Sequence, residues 1–322
     1  MSGLGSYLVF FLIQALVFGV VCLGLNLQWG YTGLFNIGVS GFFLVGAYAF
    51  AILCGPAYGT HLGGFGLPYG VGLAGAALAA AVIGFIVGIP TLRLHADYLA
   101  IVTIGIGAIF QLIALNASFL TGGSQGATSI PRLLPDLFQS VLGRNLLMLA
   151  VMVVTVVVIY AALEAIVRSP WGRVLKAIRE DEEAASSLGK NAFSFRLQSF
   201  VIGSAIMGLG GALYASFIGY VSPQDFMPIL TFQVWTMLIV GGSGNNKGAI
   251  LGAVLMWGVW TLSGSLAQAM LPIDLQVKGG AAQTILIGLV LMLVLIFRPP
   301  GIIGEEATVS REAHLTPDEP HH

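Results

Sequence analysis

The side chains that could supply acid–base, nucleophilic or metal chemistry avoid the apolar stretches of this chain. Residues 1–92 contain no Asp, Glu, Lys or Arg, whereas six of the thirteen Lys and Arg residues fall between Arg168 and Arg196. No catalytic triad, metal cluster or facing pair of carboxylates is legible, so enzymatic chemistry has no home in the pattern. The segment Gly241–Gly248 (GGSGNNKG) is not a phosphate loop. That loop needs Gly directly before Lys and Ser or Thr directly after it, but Lys247 stands between Asn246 and Gly248. Cys22 and Cys54 lie in apolar runs and are expected to be buried thiols. His321 and His322 are too few to make a metal site.

Uncharged polar groups remain: Asn26, Asn36, Ser40, Thr103, Gln111, Asn116, Gln198, Gln233, Thr236 and Gln283 all fall within or beside apolar runs. Such groups either line a path for a polar or zwitterionic solute or bond between helices, at about 0.6 kcal/mol each on average. The residues expected on a substrate pathway are Asn36, Thr103, Gln111, Thr121, Gly122, Gly123 and Ser124. The last four open the cluster Thr121–Ser129 (TGGSQGATS), which breaks a helix and suits an outer mouth. Carboxylates are missing from the centres of the apolar runs, which weighs against a proton-coupled carrier; sodium held by carbonyls and hydroxyls stays open. Asp97 suits a helix start, and Glu164 is placed to pair with Arg168 one turn on.

Positioning these groups falls to apolar helices. The chain is 57% hydrophobic and 8% charged, where a soluble domain carries about 25% charged residues. The expected fold is an all-α polytopic integral membrane protein. Runs long enough to cross a bilayer number about nine, within a range of eight to ten. They begin with Tyr7–Leu27 and Leu34–Leu53 and end with Ala281–Phe297; the seventh, Met227–Val240, is short enough to be broken or re-entrant. The first run lacks a basic leader and a cleavage site, so it is expected to be a retained span. Residues 1–303 form the transmembrane domain, 169–191 a cytoplasmic loop within it, and 304–322 a disordered cytoplasmic tail.

Short basic loops stay in the cytoplasm, which places Arg168–Arg196 inside together with Arg93, His95, Lys247 and Arg298. Arg132, Arg144 and Lys278 fall outside. Nine spans put the N-terminus outside, and an additional short span near Gln28–Thr32 would reverse it. Glycines at 30, 33, 38, 41 and 46, and at 203, 208, 210 and 211, are expected to let helix backbones approach closely. A net charge of −1 argues against a nucleic-acid partner.

The loop reads SPWGRVLKAIREDEEAASSLGKN from Ser169 to Asn191. Pro170 suits a first helical turn, Val174, Leu175 and Ile178 make an apolar stripe, and a second short stretch, Glu182–Leu188, stops at Gly189. Its mixed charge and its small Ala184, Ala185, Ser186 and Ser187 suit a groove on another protein better than lipid headgroups.

This loop resembles the coupling loop of bacterial ABC-importer permeases. Together with LFNIGVSGFFLVGAY (Leu34–Tyr48), LRLHADYLAIVTIG (Leu92–Gly105), LTGGSQGATSIP (Leu120–Pro131) and GGSGNNKGAILGA (Gly241–Ala253), it makes the chain similar to the LivM family of branched-chain amino acid permeases over about Gly30 to Pro300. The resemblance implies the ABC-importer permease fold in the bacterial cytoplasmic (inner) membrane, paired as a heterodimer with a LivH-like second permease. It also implies two ABC ATPase subunits of the LivG and LivF kind and a periplasmic amino-acid-binding protein. ATP and magnesium would be used by the ATPase subunits, with no cofactor bound by this chain. Glu183, Ala184, Ala185 and Gly189 match the coupling motif; Arg173, Lys176, Arg179 and Asp181 match its flanks, and Leu188 completes the ATPase-coupling set. The polar Asn245–Lys247 turn departs from the plainer Gly/Ser/Thr versions. Related permeases for urea, short amides or aromatic acids share the scaffold. A stand-alone ion-coupled carrier is the alternative from another class.

Overall fold

The computed structural model describes residues 2–57, 62–133, 140–270 and 279–305. Lys278 and the histidines at 321 and 322 lie outside them, as does the tail from residue 306 on. The elements in order are α1 (Ser2–Gln28), α2 (Val39–Cys54), α3 (Tyr69–Thr91), α4 (Ala96–Asn116), α5 (Ser118–Thr121), α6 (Val141–Arg168), α7 (Pro170–Glu180), α8 (Glu182–Ser187), α9 (Ala192–Ile218), α10 (Pro228–Gly241), α11 (Asn246–Met270) and α12 (Gly279–Phe297). Single 3-10 turns form at Gly123–Gln125 and Pro223–Phe226.

Seven of the described helices are long and apolar enough to cross a membrane. The 16 residues of α2 and 14 of α10 extend about 24 and 21 Å, short of a hydrocarbon core of about 30 Å. The described residues thus hold seven candidate spans and two short apolar helices, where the sequence leads to an expectation of about nine runs. The chain is an all-α, multi-pass membrane protein.

The short helices are central. Most of α2 is buried, and α9 packs along α1, α2 and α3. Contact between α2 and α9 is backbone to backbone: a Cβ on Gly46 would overlap the Gly208 carbonyl, and one on Gly211 would overlap the Phe43 carbonyl. The outer helices instead turn large apolar side chains outward, including Leu78, Ile101, Val154 and Ile285. In water this surface would aggregate; against acyl chains it is the stable face.

Charge sorts the two ends. Arg93, His95, Arg168, Arg173, Lys176, Arg179, Arg196 and Lys247 gather around two neighbouring clefts at one end, which is also where α12 delivers Arg298 and residues 302–303 bond to the end of α10. Arg132 and Arg144 lie together at the other end. Helix α1 begins at that second end, with Phe10 on Phe217, and finishes at the charged end, with Asn26 on Asn246. Residues 29–32 form turns rather than a further span.

Candidate functional site

Helices α7 and α8 lie at the charged end, α7 against α6 and α9, and α8 against α9. Pro170 occupies the first turn of α7, and Gly172, Leu175 and Ile178 form its buried side. The Trp171 indole donates to Gln198 Oε1 of α9 at 2.8 Å. Asp181 adopts an extended conformation between the helices, and its carboxylate accepts from Ala184 N at 2.9 Å, capping α8. Ala185 packs with Ile178 and Ala192, while Arg196 grips Glu182 at 2.8 Å. Gly189 ends the segment at φ +77°, a left-handed conformation that costs an L-residue about 1–2 kcal/mol. Glu183, Ala184 and Gly189 face outward with Leu188, whose side chain is 82% exposed. Arg173 is also exposed.

Lys176 and Arg179 turn inward. Lys176 Nζ lies 2.9 Å from one oxygen of Glu305, and Arg179 Nη2 lies 2.9 Å from the other. Arg179 also donates to the Gly30 carbonyl and reaches Glu180, and its side chain crosses Gly33 (φ +73°). Lys176 sits over the Tyr31 ring, 5.6 Å from its centroid. Burial pushes the Glu305 carboxyl up, but the hydrogen bonds and charges of Lys176 and Arg179 outweigh it and hold the group below its ordinary value. The sequence assigns Gly304 and Glu305 to the disordered tail. The structure instead holds both, because Gly304 O accepts from Asn245 Nδ2 at 3.2 Å and Glu305 is claimed by two cations. A cleft of ≈ 500 Å³ opens beside α7, between Tyr31, Glu164, Arg173 and Lys247.

The polar turn at 242–246 has a structural role. Asn26 Nδ2 donates to Asn246 Oδ1 at 3.0 Å, Gly244 N donates to Asn26 Oδ1 at 2.8 Å, and Asn246 Nδ2 reaches Glu164 at 3.2 Å. Glu164 also holds Arg168 at 2.6 Å, the pair expected one helical turn apart.

The pathway candidates divide into two places. Asn36 and Thr103 come together at the break before α2, which starts at Val39 rather than Leu34. Asn36 Nδ2 donates to Gln28 Oε1 at 2.7 Å, its Oδ1 accepts from Gly38 N at 2.8 Å, and its carbonyl accepts from the Trp235 indole at 3.0 Å. Thr103 Oγ1 accepts from Ile37 N at 2.9 Å, and Thr231 Oγ1 accepts from Ser40 N at 3.0 Å. Gln28 continues the network to Phe200 O at 2.8 Å. Irregular backbone among buried helices needs such partners, since lipid supplies none. Asn36 and Thr103 are buried, at 0% and 1% exposure, and bond to protein.

Gln111, Thr121, Gly122, Gly123 and Ser124 lie at the opposite end. Gln111 Nε2 donates to Pro223 O at 3.2 Å, and Ala127 bridges Val221. Thr121 donates to Ala114 O at 2.6 Å and accepts from Gly123 N. Gly122 and Gly123 are both left-handed, and Ser124 is exposed. Sequence reasoning did not find Gln28, Thr231 or Trp235 at the α2 break, nor Glu305. Gln28 gave a weak signal as a polar group closing an apolar helix; the other three gave none.

Residues 7–295 match the protein family described as the permease component of the branched-chain amino acid transport system. The high-affinity branched-chain amino acid transport permease LivM of Salmonella typhimurium is 32% identical over 90% of this chain and 68% of its own length. A probable LivM of Methanocaldococcus jannaschii is 28% identical over 90% of this chain and 91% of its own. The Escherichia coli permease LivH, whose name places it in a high-affinity branched-chain amino acid system as well, is 26% identical over 89% of this chain and 91% of its own.

Proposed function

The chain belongs to the branched-chain amino acid transport permease family, and from that premise we propose that it is one of two unlike permease subunits of an ATP-driven importer for branched-chain or other hydrophobic amino acids. Escherichia coli has both a LivM and a LivH permease of high-affinity branched-chain amino acid transport similar to this chain, which supports a LivH-like partner. The observation that carries ATPase coupling is the α7–α8 pair. It is braced from within by Leu175, Ile178 and Ala185, yet presents Glu183, Ala184, Leu188 and Gly189 outward at the charged end. An exposed leucine at the end of a short helix is the kind of apolar anchor a helix-in-groove contact uses. A carrier acting alone has no use for such an anchor.

In this proposal one of two ATPase subunits seats on α7–α8 and the other beneath the LivH-like partner; they bind the ATP and magnesium themselves and face the cytoplasm, as the concentration of positive charge at that end supports. The membrane is the bacterial inner membrane. An amino-acid-binding protein docks at the other end, where Gln111 and Thr121–Ser124 form this subunit's share of the mouth. Asn36 and Thr103 serve the pathway by holding the α2 break in place. Reconstitution in liposomes tests this: the full set of subunits takes up leucine only with ATP, and the single chain takes up none. Uptake by the single chain, or rejection of leucine in favour of urea, short amides or aromatic acids, would overturn the ATPase-coupled or the amino-acid assignment respectively.

A further inference from the structure

The segment after α12 returns to the end of α10. Ile302 N donates to Val240 O at 2.9 Å and Ile303 N to Gly241 O at 3.0 Å. Asn245 then takes the Gly304 carbonyl, and the strap places Glu305 between Lys176 and Arg179 of α7, both contacts at 2.9 Å. Side-chain exposures of 29%, 29% and 23% for Glu305, Lys176 and Arg179 leave this cluster less screened than an open surface pair. From α10 the contacts continue inward, because Thr231 and Trp235 of that helix hold Ser40 N and Asn36 O at the α2 break. A path of bonded groups thus runs from α7 through one carboxylate to α10 and α2.

We propose that Glu305 is a positioning residue for transport, a latch that fastens α7 to the end of α10 so that movement imposed on α7–α8 reaches the α2 break. The latch rests on α7–α8 being the ATPase-docking element. Lys176 and Arg179 act through it from within, leaving the outward residues of α8 to touch the ATPase.

The complete importer in liposomes, assayed for uptake and ATP hydrolysis in the same vesicles, provides the test. Glu305→Gln leaves the subunits assembled and hydrolysis near its unsubstituted rate while uptake per ATP falls about tenfold, and Glu305→Asp restores most of it. Gly189→Arg, run in parallel, reports on docking itself. Uncoupling by Gly189→Arg with full efficiency in Glu305→Gln overturns the latch and leaves docking standing. Full efficiency in both removes the docking assignment and the latch with it. Loss of assembly in both Glu305→Gln and Lys176→Met also overturns the proposal, because the contact would then serve folding rather than coupling.

Discussion

At the scale of single residues, the buried polar groups of this permease are organised around broken backbone. Asn36 satisfies Gln28, Gly38 N and the Trp235 indole at once. Replacing it with Ala keeps the main-chain carbonyl for the indole but leaves Gln28 Oε1 and Gly38 N unpaired, each costing about 1–3 kcal/mol. Asn36→Ala should therefore lower the melting temperature of the purified complex by several degrees. An unchanged melting temperature would mean that water or a rearranged Gln28 replaces the lost bonds and that the break does not depend on Asn36. Glu305 belongs to the same class of residue, since it completes a site built by others and is silent in isolation.

Among the elements, α7 and α8 are the pair whose outward side is proposed to receive a partner. Gly189 supplies the left-handed turn that returns the chain into α9, and a Cβ there would meet open space. Substitution therefore strains the turn without clashing. Gly189→Arg should retain the paired permeases but abolish ATP-driven uptake in reconstituted vesicles; normal uptake would remove the coupling role from this loop. Much of this element was legible because its signals are local. Pro170 in the first turn, the Val174–Ile178 stripe, the Glu164–Arg168 spacing and the stop at Gly189 all concern residues within a few positions of one another. The start of α2 was not legible. Residues 34–38 are apolar enough to continue a helix, and what holds them open comes from Thr103, Trp235 and Gln28 on other helices. Glu305 was hidden for the same reason: in an acidic, polar tail it resembles any solvated carboxylate, and its partners are more than a hundred residues away.

The whole molecule is a bundle whose two ends differ in charge and whose centre is built from helices too short to span alone. Its apolar exterior assigns it to lipid, and the seven candidate spans and two short apolar helices among the described residues fall on runs that length alone picks out. The gathering of basic residues at one end followed from loop composition, and close backbone approach in α2 and α9 from glycine density, though which helices meet did not. As proposed above, this subunit works only as part of a larger assembly reached through α8. Purification of the chain from its native membranes, followed by identification of its companions by mass spectrometry, tests that most directly, with Leu188→Arg as the paired variant. A second permease and two ATPase subunits should be recovered with the unsubstituted chain, and ATPase recovery should fall with Leu188→Arg while the second permease is retained. Recovery of the unsubstituted chain by itself, or of ATPases undiminished by Leu188→Arg, would contradict the proposal.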